Sequence, residues 1–224
     1  MNASLKTAAR ENMLKSQILT GHVLDPRILD ALMNVAREDF VPDPFKGSAY
    51  VDQEIPLGNG RFMMEPLDFA RLLKYAAIGE GETVLAVACA TGYSAAVLSH
   101  LARRVVAVEE EPALAETASA LLKSCPNVTF RKMPLVSGST EAAPYDVILI
   151  EGAVEHVPQA LCDQLREGGR LITAEHDAEA MVGSAGLSKL SEYRKVRGAL
   201  YKTVLRDANM ALLVAFRRKR PFAL

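Results

Sequence analysis

A chain of 224 residues is long enough for one enlarged domain with a full hydrophobic core. Half of its residues are apolar, 24% are charged, and 26 basic against 27 acidic side chains leave a formal charge of −1. These values exclude disordered, collagen-like and fibrous classes, and they supply no long-range field to draw nucleic acid or an anionic membrane. Residues 1–11 lack the apolar stretch of a secretory signal, and no later run approaches the roughly 20 apolar residues of a membrane span. A cytoplasmic protein is expected. Cys89, Cys125 and Cys162 are odd in number and far apart, and His22, His100, His156 and His176 are equally scattered. Neither a disulfide framework nor a metal site is predicted.

In chain order, residues 10–19 carry Met13, Leu14, Ile18 and Leu19 at helical spacing and end at Thr20-Gly21-His22. Asp25 can cap, and Pro26 can open, a second helix with Ile28, Leu29, Leu32 and Met33 on one face. Residues 39–66 change to Pro, Gly, Asp and aromatic side chains, which predicts a structured loop region, a frequent place for binding chemistry. Pro66 then opens a helix through about Tyr75. From Gly79 onward, short apolar runs alternate with amphipathic helices. Strands are expected at 83–88, 104–109, 128–130, 145–150 and 170–173, with helices after 93, from 112 to 122 and from 158 to 165. Continuous apolar strands between helices mean a parallel sheet covered on both faces. The stretch 180–216 is expected to add edge strands, including 201–205 and 210–216. The basic run 217–220 reads as a solvated terminus. The division expected is 1–78, N-terminal helices and covering loops packed on the core, and 79–224, the α/β core.

The chemistry-bearing span is 84–109. A strand runs into Cys89-Ala90-Thr91-Gly92-Tyr93, a helix follows, and Glu109 closes the next strand. This arrangement gathers a tight turn, a helix N-terminus and a carboxylate at the carboxyl ends of neighbouring strands, where an adenosine-like ligand fits. The plainer alternative is that Gly92 only makes the turn and Glu109 only caps the helix near Pro112.

Several segments are similar to the protein-L-isoaspartate O-methyltransferase family of class I S-adenosylmethionine (SAM) enzymes over residues 10–169. They are Arg37-Glu38-Asp39-Phe40-Val41-Pro42, Ala49-Tyr50, Pro56-Leu57-Gly58-Asn59-Gly60, Gly92-Tyr93-Ser94-Ala95-Ala96-Val97-Leu98, Tyr145-Asp146-Val147-Ile148 and Gln164-Leu165-Arg166-Glu167-Gly168-Gly169-Arg170-Leu171. The resemblance implies a Rossmann-like, doubly wound, mostly parallel seven-stranded sheet with an N-terminal helical extension. It implies methyl transfer from SAM to the carboxylate of isoaspartyl residues in damaged proteins or peptides. Ala88, Cys89, Ala90, Gly92, Tyr93 and Glu109 would hold the cofactor, and Gly58, Asn59 and Gly60 the substrate.

The departures from that pattern are local. The family's loop, approximately Glu-Ile-Gly-Thr-Gly-Ser-Gly-Tyr, is here Ala86-Val87-Ala88-Cys89-Ala90-Thr91-Gly92-Tyr93, so one glycine of three remains. Alanine at a position requiring positive φ is strained. Met133-Pro134-Leu135 stands where the family has Gly-Asp-Gly. Met64 stands in place of the serine expected to hydrogen-bond the reacting carboxylate, and a thioether cannot donate, so no catalytic residue is assigned. Glu151 adds a carboxylate that could repel a carboxylate substrate, bind a cation or simply be a solvated strand end. A second reading of these losses is a descendant that keeps the fold for protein binding or regulation. Nucleic-acid methylation is weaker still, without a basic stripe.

Overall fold

The computed structural model describes residues 3–176 and 188–218. The chain opens with helix α1 (Ala3–Met13), prolonged by a π-helical turn (Leu14–Ile18), and then α2 (Pro26–Asn34). The Asp25 carboxylate accepts the Arg27 N–H at 2.9 Å and Pro26 occupies the first turn, as the sequence predicts. Short 3-10 turns (Arg37–Phe40 and Asp43–Ser48) lead into a small hairpin, β1 (Ile55–Gly58) with β2 (Arg61–Met63), and then α3 (Pro66–Ala76).

The main sheet follows. Its strands are β3 (Thr83–Val87), β4 (Arg104–Glu109), β5 (Val128–Lys132), β6 (Tyr145–Val154), β7 (Leu165–His176), β8 (Ser188–Val196) and β9 (Ala199–Ala208), in spatial order β5-β4-β3-β6-β7-β8-β9. Helices α4 (Tyr93–Leu98), α5 (Pro112–Leu121) and α6 (Gln159–Asp163) fill the crossovers. The first five strands pair in parallel, while β8 and β9 join antiparallel at one edge. This is the expected mixed, seven-stranded α/β fold. Strands β3 and β4 are buried almost throughout because both faces are covered. Val84, Ala86, Val105 and Ala107 point into one apolar core with Met13, Leu32, Phe69 and Leu98. Leu85, Val87, Val106 and Val108 point into the other with Leu161, Leu165 and Phe216. The period of two along each strand thus divides the core in half.

The chain runs outward from β3 through β4 to β5, then returns to place β6 on the other side of β3. That reversal opens a crevice at the carboxyl ends of β3, β4 and β6.

Three expectations are corrected. The α6 helix spans only Gln159–Asp163, because Leu165 already pairs with Tyr145 at the start of β7. Strand β5 runs on to Lys132, paired with Glu109. Residues 210–216 form no edge strand. They cross to the end of β6, where the Ala153 N–H reaches the Ala211 carbonyl at 2.9 Å and the Leu213 N–H reaches the Ala153 carbonyl at 2.8 Å, and a 3-10 turn (Val214–Phe216) buries Phe216. Alternation there reflects two contacts with the core, not a ladder. Of the expected edge stretch and basic tail, residues 180–187 and 219–220 lie outside the described residues.

Candidate active site

The crevice is built on the turn that carries β3 into α4. Ala88 and Cys89 both donate their N–H groups to the Val108 carbonyl, at 3.0 and 3.2 Å, which ties the turn to β4. Ala88 has φ +67°, Ala90 φ +50° and Gly92 φ +95°. The strain expected from replacing glycines is therefore present at both alanines, in a conformation that costs an L-residue about 1–2 kcal/mol. A Cβ at Gly92 would lie 3.0 Å from Leu122, so glycine is kept there for space as well as for φ.

Glu109, at the end of β4, has no solvent exposure. Its Oε2 accepts the Ala90 N–H at 2.9 Å. Its Oε1 accepts the N–H groups of Glu110 and Glu111 at 2.9 and 3.0 Å. Arg61 of β2 completes the arrangement, with Nη1 2.6 Å from Oε1 and Nη2 donating to the Ala88 carbonyl at 3.1 Å. A guanidinium therefore sits on the carboxylate that the family resemblance gives to a ribose. Nothing in the sequence signals this contact, which joins residues 48 positions apart.

Beyond Arg61 the crevice continues as a cavity of about 20 Å³, room for about one water. Arg37, Met64, Phe69, Cys89, Tyr93 and Glu151 are among its walls. Tyr93 packs edge-on to Phe40 and tilted against Phe69, with ring centres 5.6 and 5.5 Å away. The Glu151 side chain, one residue past the Val87–Ile150 pair, accepts the Ser94 hydroxyl at 2.5 Å. Burial pushes its carboxyl up to about 8; the Ser94 bond and Arg61 oppose the rise, and Glu109 adds to it. Glu151 is therefore a part-buried acid that holds its proton to higher pH than an ordinary carboxyl, not a solvated strand end. Burial, followed by Glu151 and Glu109, raises the Cys89 thiol well above its ordinary range and keeps it protonated.

Gly58, Asn59 and Gly60 form the tip of the β1–β2 hairpin, all at positive φ. The Asn59 amide donates to Glu111 at 2.9 Å, bridging the tip to the end of β4. The structure thus brings Ala88, Cys89, Ala90, Gly92, Tyr93 and Glu109 together around one crevice and places 58–60 at its rim. Met64 lines the cavity, as do Glu151, which the sequence offered as a charge beside the substrate or a solvated strand end, and Arg37, to which it gave no role there. Among the described residues no helix is long and apolar enough to cross a membrane, and no cluster of three or more potential metal ligands occurs.

A sheet of this order, with a buried acid ending the strand beside a tight βα turn, defines the Rossmann-like class of methyltransferase fold. The family model described as protein-L-isoaspartate(D-aspartate) O-methyltransferase matches residues 8–192, and the chain belongs to that family. A protein-L-isoaspartate O-methyltransferase of Methylorubrum populi is 42% identical over 166 residues, covering 74% of this chain and 78% of that one. One from Koribacter versatilis is 33% identical over 210 residues, covering 92% and 90%. Among solved structures, a protein-L-isoaspartate O-methyltransferase superposes with TM-score 0.79 at 24% identity, over 91% of this chain, which spans only 65% of that structure. A Plasmodium falciparum protein described by the same name, in complex with S-adenosyl-L-homocysteine, superposes with TM-score 0.76 at 17% identity, covering 94% and 98%.

Proposed function

We propose that this protein is a SAM-dependent methyltransferase that esterifies the carboxylate of isoaspartyl residues in damaged proteins or peptides, acting in the cytoplasm. The observation that carries the reading is the family match over 8–192 together with Glu109 held at the end of β4 against the turn at Ala88–Gly92. No observation favours the alternative of a scaffold that has lost its chemistry, and both relatives described above carry the enzyme's name.

The donor and acceptor set fits a nucleoside. Glu109 Oε2 takes a single N–H and keeps a free lone pair, so once Arg61 moves aside this oxygen would receive a ribose hydroxyl. Ala88, Cys89, Ala90, Gly92 and Tyr93 would line the rest. Arg61, on the β1–β2 hairpin, would have to leave Glu109 for a nucleoside to reach it. The methyls of Ala88 and Ala90 narrow the approach without removing a polar partner. When bound, SAM supplies an electrophilic methyl group on a sulfonium. The chain's own part is positioning. An isoaspartyl carboxyl group with a pKa near about 3.9 is already ionised at pH 7, so no base is required and no proton moves at the attacking oxygen. The buried Met63 and Met64 give the cavity an apolar wall, and Gly58, Asn59 and Gly60 at the rim would contact the substrate backbone. While it holds its proton, Glu151 does not repel the incoming carboxylate.

Titration with S-adenosylhomocysteine followed by calorimetry tests the first half. At 100 times its dissociation constant the ligand should stabilise the fold by about 2.7 kcal/mol. Radiolabelled methyl transfer to an isoaspartyl peptide, with the aspartyl peptide as control, tests the second. No heat and no melting shift at millimolar ligand would sink the reading.

A further inference from the structure

Arg37 is among the largest side chains wholly withdrawn from solvent. Its Nε donates to the Ala49 carbonyl at 2.7 Å and its Nη2 to the Met64 carbonyl at 2.5 Å, while the Tyr93 ring lies 5.1 Å from the guanidinium carbon. Among the described residues no carboxylate pairs with it. Neighbouring Glu38 is taken up by Lys6, Arg10 and the Tyr50 hydroxyl. Asp52 acts on Arg37 only from a distance, with its own carboxylate on the Leu67 N–H. The Tyr93 hydroxyl is near enough for charge and hydrogen bonding to couple it to the guanidinium, yet Nη1 itself has no partner at hydrogen-bond geometry. A buried cation without a counter-ion and with an unused donor is costly, and a structure that keeps one invites an anion.

The place is informative. Arg37 forms one wall of the cavity whose other walls include Met64, Cys89, Tyr93 and Glu151, and it is hydrogen-bonded to the backbone of residue 64 itself. A side-chain hydroxyl at that position would hold the reacting carboxylate, whereas Met64 offers no donor. We propose that Arg37 receives the substrate carboxylate through Nη1, taking over the recognition that residue 64 cannot provide. The assignment rests on the carboxyl-methylation reading given above and names the residue that makes it specific for an anion. With Nε and Nη2 each bonded to a backbone carbonyl, Nη1 is the one guanidinium nitrogen left without a partner. It grips one carboxylate oxygen and leaves the second uncommitted as the nucleophile. The ester product is uncharged and loses this hold, which favours its release. The pocket has room for about one water, which the carboxylate oxygen would displace.

The test uses the whole chain with Arg37→Lys, which keeps the charge, and Arg37→Met, which removes it. S-adenosylhomocysteine affinity and melting temperature are measured beside isoaspartyl-peptide kinetics at saturating SAM. The expected result is a peptide KM raised at least tenfold in folded Arg37→Lys with S-adenosylhomocysteine affinity within twofold. Formate should also compete with peptide, not with SAM, in the unaltered protein. An unchanged KM in the folded variant, or formate that fails to compete with peptide, overturns the proposal, and the formate arm decides the matter even where neither variant folds. Should the protein bind S-adenosylhomocysteine yet methylate no isoaspartyl peptide, the functional reading falls. Arg37 is then judged by formate-induced melting shifts alone: a shift in the unaltered protein lost in Arg37→Lys supports an anion site, and no shift overturns it.

Discussion

Two turns face each other across the crevice, and both need left-handed backbone. At the tip of the β1–β2 hairpin the need is met by Gly58, Asn59 and Gly60, residues that tolerate positive φ, and nothing lies within 4 Å of where a Cβ would stand on either glycine. At the end of β3 it is met by Ala88 and Ala90, both buried and both resisting the conformation. The hairpin tip chooses its shape by local turn chemistry. The β3 turn has its shape imposed by what surrounds it: Val108 holds the N–H groups of Ala88 and Cys89, and Glu109 holds that of Ala90. Strain is stored in the buried β3 turn and is absent at the glycines of the hairpin tip.

Removing the clamp gives the largest expected effect. Glu109→Ala orphans three backbone N–H groups and leaves Arg61 as an unpaired, largely buried cation, so unfolding free energy should fall by roughly 3–5 kcal/mol. Denaturant titration checks this, and a loss below about 1 kcal/mol would show that the turn holds itself.

A second effect lies across the turn. Because burial raises the Glu151 carboxyl to about 8, its anionic form gains weight above that pH on the wall of the cavity proposed to receive the substrate carboxylate. Methylation should drop about tenfold for each unit well above the transition, in proportion to the remaining neutral fraction. Glu151→Gln, which still accepts the Ser94 hydroxyl, should flatten this alkaline limb. The same shift makes a stability prediction of fixed sign. The folded state binds the proton more tightly than the unfolded one, so Glu151's contribution is present below about 4.5 and is lost as pH climbs towards 8.

The smallest effects form a mirror pair that tests the comparison most directly. Gly60→Ala should destabilise by about 0.5–1 kcal/mol through φ alone, without altering S-adenosylhomocysteine affinity. Ala88→Gly or Ala90→Gly should stabilise by about 0.5 kcal/mol, the relief of strain being partly offset by the entropy of a freer unfolded chain. Either glycine should also tighten S-adenosylhomocysteine binding by widening the approach. Loss of stability in both glycine variants would mean that the alanine turn is at ease.

Much of this site is legible in the sequence. The strain at Ala88 and Ala90 follows from the residues themselves, since a βα turn of this kind requires positive φ wherever the glycines stood. The Asp25-Pro26 cap and the succession of apolar strands were equally local. The partners of the ionisable groups were not. Arg61 meets Glu109 across 48 residues and Ser94 meets Glu151 across 57, and neither pair has a short-range signature. Arg37 was readable only as part of a familiar segment, and its unused donor emerges from what folds around it. The path of 210–216 is hidden from the sequence for a related reason, because alternation records burial and not the neighbour responsible for it.

The sequence alone determined the layered α/β architecture and the sites of backbone strain, because periodicity, caps and φ preferences are properties of a few consecutive residues. Only the tertiary structure decided that Glu109 is clamped, Glu151 slow to give up its proton and Arg37 left with a free hand. The state of a charge depends on its burial and on partners drawn from distant parts of the chain.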